Sequence, residues 1–161
     1  MPEYAADLAA VRAAATRLAG VAHRTPVATC AALDAAAGRR LFFKCEHLQK
    51  VGAFKFRGAW NAVSRLPEAV AARGVVTHSS GNHGQALALA ARMRGIPAWV
   101  VVPGDATRAK KEAIRGYGAT LVECEPTLEA RDVEAARLVA ETAATLVPPY
   151  DHPDIVAGQG T

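Results

Sequence analysis

From Gly52 to Val147 the chain alternates between strand-like and helix-like segments without interruption. Lys55 to Leu66 carries helical spacing, and Gly74-Val75-Val76-Thr77-His78 is a short apolar, β-branched run that fits a buried strand. Asn82 to Arg94 predicts a helix with Leu87, Ala90, Ala91 and Met93 directed to a core. Ala98 to Val102 predicts a strand stopped by Pro103-Gly104. Thr107 is placed to cap a helix running to about Arg115, broken by Gly116 and Gly118. Ala119 to Glu123 then reads as a strand, Leu128 to Ala144 as a long helix, and Thr145 to Val147 as a last strand before Pro148-Pro149. Helices inserted between successive strands imply an α/β fold, a parallel sheet covered by helices on both faces. Ligands of such sheets sit beyond the C-terminal ends of the strands.

The flanks are less regular. Residues 5–19 predict an amphipathic helix ended by Gly20, Pro26 keeps Thr25 extended, 33–37 reads as a short helix closed by Gly38, and Leu41 to Glu46 as a strand. The last residues, Gly158-Gln159-Gly160-Thr161, read as the entry to another helix, so the chain is expected to be a fragment.

Composition excludes several classes. With 51% hydrophobic and 21% charged residues a packed core is within reach and disorder is not expected. Cys30, Cys45 and Cys124 form no C-x-x-C pair, give neither a disulfide framework nor a zinc pattern, and are expected as small core residues. No histidine falls in a metal-binding spacing; each of the five reads as a surface or loop residue, and no metal site is expected. No apolar run is long enough to span a membrane, and Met1 to Asp7 lack the basic and apolar regions of a signal peptide, so a cytoplasmic protein is the default. The net charge of +4 is mild, the cluster Arg108, Lys110, Lys111 and Arg115 reads as a solvated helix face, and with 6% aromatics no nucleic-acid partner is expected.

Two segments carry chemistry. In Gly52-Ala53-Phe54-Lys55-Phe56-Arg57-Gly58-Ala59 a lysine stands between two phenylalanines just after a glycine turn. Desolvation there disfavours the ammonium, as a Schiff-base lysine requires; a lysine whose stem covers apolar surface is the alternative. In Thr77-His78-Ser79-Ser80-Gly81-Asn82-His83-Gly84-Gln85 small polar residues join a strand to a helix and offer backbone N–H groups to a carboxylate or phosphate. An ordinary capped loop is the alternative here.

Taken together, the run Lys44 to Ala59, the run Ser79 to Gln85, and the segments Pro149-Tyr150-Asp151-His152-Pro153-Asp154 and Ala157 to Thr161 resemble the serine/threonine dehydratases. These are pyridoxal 5′-phosphate (PLP) enzymes of the tryptophan-synthase-β-like, fold-type II architecture. Related sulfur-amino-acid synthases usually carry Asn-Pro-Thr/Ser-Gly before the lysine and Thr after the loop asparagine. Gln49-Lys50-Val51-Gly52 and His83 stand there instead, which favours the branch of serine racemases and threonine ammonia-lyases.

The resemblance implies roles. Lys55 would hold PLP covalently and take the α-proton, Phe54 would pack beside the ring, and Asn82 would bond its phenolic oxygen. Ser79, Ser80, Gly81, Asn82 and His83 would bind the substrate carboxylate, largely through N–H groups. Ser80 matches the serine that serves as acid or base on the opposite face in the racemases, whereas Tyr150 stands in a context closer to the dehydratases. Lys50, Gln85 and Tyr117 match an ATP effector site from which Cys30 and Val51 depart.

The implied reaction converts serine or threonine to a 2-oxo acid and ammonia, with serine racemisation open. The alternatives are a 3-hydroxyaspartate dehydratase of the same family and a non-catalytic small-molecule-binding remnant. The family's phosphate loop and metal carboxylates would lie beyond Thr161, so a divalent metal, an ATP effector and a homodimer are expected only of the full-length protein. The division implied is 1–51 as the start of the larger domain, 52–148 as the smaller α/β domain, and 149–161 as the return into the larger one.

Overall fold

The computed structural model describes residues 5–161. Residues 1–4, which include most of the segment read for a signal peptide and the start of the 1–51 unit, lie outside the described residues.

Helix α1 (Leu8–Leu18) is followed by β1 (Val27–Ala28), α2 (Ala31–Ala37) and β2 (Phe43–Lys44). Two 3-10 turns, Glu46–Leu48 and Lys50–Gly52, lead into α3 (Lys55–Arg65). Then come α4 (Glu68–Ala71), β3 (Val75–His78), α5 (Asn82–Arg94), β4 (Ala98–Pro103) and α6 (Arg108–Gly116). The chain closes with β5 (Thr120–Cys124), α7 (Leu128–Thr142), β6 (Thr145–Leu146) and α8 (Pro153–Gln159). Strands β3 to β6 form one four-stranded sheet in the order β5-β4-β3-β6, parallel at every pairing. β1 and β2 form a separate antiparallel pair.

Side-chain alternation along the strands splits the core into two layers. Val75, Val100 and Val102 face Phe56, Val63, Leu87 and Ile155 on one side. Val76 and Val101 face Ala135, Leu138 and Ala144 on the other, under α7. Strands buried on both faces read as continuous apolar runs, which is how Val75-Val76 and Val100-Val101-Val102 stand in the sequence.

α8 lies across α3, and glycines make the crossing close. A Cβ built on Gly158 would stand 2.6 Å from the carbonyl oxygen of Arg57 and 2.7 Å from Cα of Gly58. The helix expected to open at Gly158-Gln159-Gly160-Thr161 begins upstream instead, at Pro153, and Gly158 and Gln159 lie within it.

Other expectations are corrected too. Met93 is exposed, while Leu87, Ala90 and Ala91 are buried as expected. The strand expected over Leu41 to Glu46 shrinks to Phe43–Lys44 because the chain turns at Glu46. Thr107 stands at the start of α6 but its hydroxyl makes no capping bond. α7 stops at Thr142, where Ala143 turns left-handed. Cys30 is exposed and Cys45 is half-buried, away from the core, whereas half-buried Cys124 packs against the core layer under α7. Burial raises the pKa of the Cys124 thiol, which keeps it protonated.

Candidate active site

Lys55 opens α3 after a tight turn in which Val51 and Gly52 both have left-handed backbone, φ 57° and 67°. A β-branched residue in that region is uncommon, and the turn sets the direction in which α3 starts. Phe56 is fully buried behind Lys55, while Phe54 is exposed with its ring centroid 5.4 Å from the Lys55 amine. Lys55 Nζ donates to the carbonyl oxygen of Pro149 at 2.6 Å. The amine is thus turned onto a main-chain acceptor, and burial holds its pKa below the ordinary lysine value.

Pro149 also lines a cavity of about 230 Å³ together with His78, Ser79, Ser80, Gly81, Leu128, Arg131 and Tyr150. It lies at the C-terminal end of β3, where parallel sheets place their ligands. Two of the loop's amides are already used: Ser79 N donates to Val101 O at 3.0 Å and Gly81 N to Ser79 Oγ at 3.3 Å. The N–H groups of Ser80, Asn82, His83 and Gly84 have no acceptor among the described residues, and no side chain caps α5. Unpaired donors at a helix N-terminus favour an anion. Gly84 is required for this fold of the loop, since a Cβ there would stand 2.1 Å from the carbonyl oxygen of Ser79.

Asn82 is exposed at the start of α5, but the His83 side chain is not. The expectation of a surface or loop histidine fails there: His83 is 2% exposed, its Nε2 lies 3.1 Å from Val147 O, and its Nδ1 has no partner among the described residues. Burial, opposed in part by the Val147 bond, lowers its pKa to about 4, so the ring is neutral at neutral pH.

Lys50 stands on a 3-10 turn that packs beside α5, which carries Gln85, Tyr117 follows α6 and packs against the core, and Lys50 Nζ lies 6.0 Å from the Phe56 ring centroid. None of the three lines the cavity at Ser79 to Gly81.

Two features escaped the sequence reading. Arg131 from α7 is the cationic side chain in the wall of that cavity, with Nε bonded to Thr127 O at 3.1 Å. Its neighbour Asp132 lies 3.4 Å from His78 Nε2. The second is a buried clamp in the Lys44-to-Ala59 run: Arg57 grips Glu46 through Nε–Oε2 at 2.8 Å and Nη2–Oε1 at 2.7 Å. Thr25 Oγ1 adds a bond to the same carboxylate, and the Arg57 bond holds the Glu46 pKa below its ordinary value. Among the described residues no cluster could hold a metal ion. None of their helices is long and apolar enough to cross a membrane.

Comparison with known proteins places this geometry. Residues 18–161 match the family described as pyridoxal-phosphate dependent enzyme. A serine racemase of Arabidopsis thaliana is 49% identical over 159 residues, which is 99% of this chain and 48% of the relative. An L-threo-3-hydroxyaspartate ammonia-lyase of Pseudomonas sp is 53% identical over 148 residues, 92% of this chain and 46% of that protein. Maize serine racemase superposes with a TM-score of 0.94 at 44% identity, covering 96% of this chain and 47% of its own. The chain spans about half the length of the curated relatives it matches.

Proposed function

Because the chain belongs to the family of pyridoxal-phosphate-dependent enzymes, we propose that it is the N-terminal half of a serine/threonine ammonia-lyase that also racemises serine. The observation that carries the reading is Lys55: an inward-turned amine of lowered basicity on the carbonyl of Pro149, a wall residue of the cavity at Ser79 to Gly81. The domain division at 52 and 148 belongs to this reading, supported by a sheet that lies wholly between Val75 and Leu146.

The residues fit the cofactor. An uncharged amine is what an aldehyde requires, the lowered pKa of Lys55 enlarges its uncharged fraction, and the Phe54 ring beside it is exposed. Lys55 would hold PLP, Phe54 would flank it and Asn82 would bond its ring oxygen. When bound, PLP supplies an electron sink for the electron pair left when a Cα–H bond breaks. The protein's own part is positioning and proton transfer. The free N–H groups of Ser80, Asn82, His83 and Gly84 would hold the substrate carboxylate, and Lys55 Nζ would take the α-proton. Ser80 Oγ would return a proton on the other face. A nucleotide effector at Lys50, Gln85 and Tyr117 is part of the proposal for the full-length protein.

Arg131 favours a second reading. A guanidinium in the wall beside the carboxylate-binding loop suits a substrate with a second carboxylate, such as 3-hydroxyaspartate.

The test is the visible absorbance of the protein mixed with PLP, alongside Lys55→Ala, followed by assays for ammonia and 2-oxo acid from serine, threonine and 3-hydroxyaspartate. A band that needs Lys55 is expected. A full-length protein with no such band overturns the proposal.

A further inference from the structure

Lys55 depends on an acceptor that does not hold itself in place. Pro148 and Pro149 have no N–H, and among the described residues the N–H groups of Tyr150, Asp151 and His152 make no hydrogen bond. Among the described residues the main chain from 148 to 151 accepts one bond, from Lys55 itself. Its nearest upstream anchor is Val147, which is fixed on both sides. The N–H of Val147 donates to Val76 O of β3 at 2.8 Å, and its carbonyl faces His83 Nε2 at 3.1 Å. Between that anchor and the acceptor stand only two prolines, whose φ angles are locked by their rings.

We propose that His83 is a positioning residue for Lys55: its imidazole fixes the carbonyl of Val147 and, through the rigid Pro148-Pro149 step, presents the Pro149 carbonyl to the lysine amine. A carbonyl oxygen only accepts, so the ring must carry its proton on Nε2 and leave Nδ1 bare. That matches Nδ1 having no partner. Burial keeps the ring neutral at neutral pH, so it has a single N–H to place, and the Val147 carbonyl takes it. The role is separate from the loop's anion site, because the His83 main-chain N–H is unaffected by its side chain. It rests on Lys55 being the reactive amine.

The test uses the intact protein without cofactor. Nitrogen-15 NMR of the His83 ring at neutral pH should report the Nε2–H tautomer; the Nδ1–H tautomer overturns the proposal. Reductive methylation with formaldehyde and a borane, read lysine by lysine by mass spectrometry, follows the Lys55 amine against exposed Lys110. The wild type sets a Lys55-to-Lys110 labelling ratio. His83→Leu should shift that ratio by about threefold or more, and His83→Gln, whose amide nitrogen can replace Nε2, should restore it. An unchanged ratio in folded His83→Leu overturns the proposal. If that variant does not fold, His83→Asn, too short to reach Val147, takes its place; Gln and Asn behaving alike overturns it. All these readouts are independent of PLP, so their failure is distinct from absence of the Lys55-dependent band.

Discussion

Gly58 and Gly158 meet backbone to backbone where α3 crosses α8. A methyl group on Gly158 would be caught between the Arg57 carbonyl, Gly58 Cα and Asn61 Cβ, 2.6 to 2.8 Å away, and none of these is the free end of a flexible side chain. Gly158→Ala should therefore destabilise the protein by about 1–3 kcal/mol through overpacking. Urea unfolding followed by circular dichroism checks it. Gly95→Ala is a weaker control, strained only by its left-handed φ of 73°, since beyond its chain neighbours no described residue comes within 4 Å of the added methyl.

The Glu46–Arg57 clamp makes a prediction about single against double changes. The two side chains are only 17% and 10% exposed, so removing one partner leaves the other charge nearly dry. Glu46→Gln should cost about 3 kcal/mol, and Glu46→Gln combined with Arg57→Met should cost less than the single change. Denaturant midpoints of the three proteins decide it.

His83 gives the protein an acid limit. Its pKa is about 4 in the folded state against an ordinary 6.5, so the unfolded chain binds the proton more readily. Stability from this group is full above pH 6.5 and falls as pH drops toward about 4, by on the order of 3 kcal/mol. His83→Gln should flatten the melting-temperature profile across that window.

Arg131 should decide between the two substrate readings. Arg131→Gln should lower kcat/KM for 3-hydroxyaspartate by about 10- to 100-fold, the worth of a charged hydrogen bond. Serine and threonine should change by less than about threefold. Equal losses for all three substrates would show that Arg131 does not read a second carboxylate.

How far the fold was legible follows from where each residue's partners lie. The segments β3, α5, β4, α6 and β5 were readable within a residue or two because their periodicity is local. α8 was not: it opens at Pro153 and carries Gly158. Gly158 meets the α3 backbone, whereas helix propensity counts a glycine as unfavourable. In the candidate site, Lys55 and the Ser79-to-Gln85 loop stood out through sequence context. His83 was misjudged because the carbonyl that explains its burial lies 64 residues away. Arg131 gave no local signal, being one of several arginines on exposed helices.

The bond from Lys55 to Pro149 joins residues 94 positions apart. During synthesis the lysine leaves the ribosome long before its acceptor exists. Until β6 docks on β3, the Pro149 carbonyl is not in place to receive the amine. The emerging chain therefore carries an unaimed lysine, and aims it only once the last strand of the sheet has arrived.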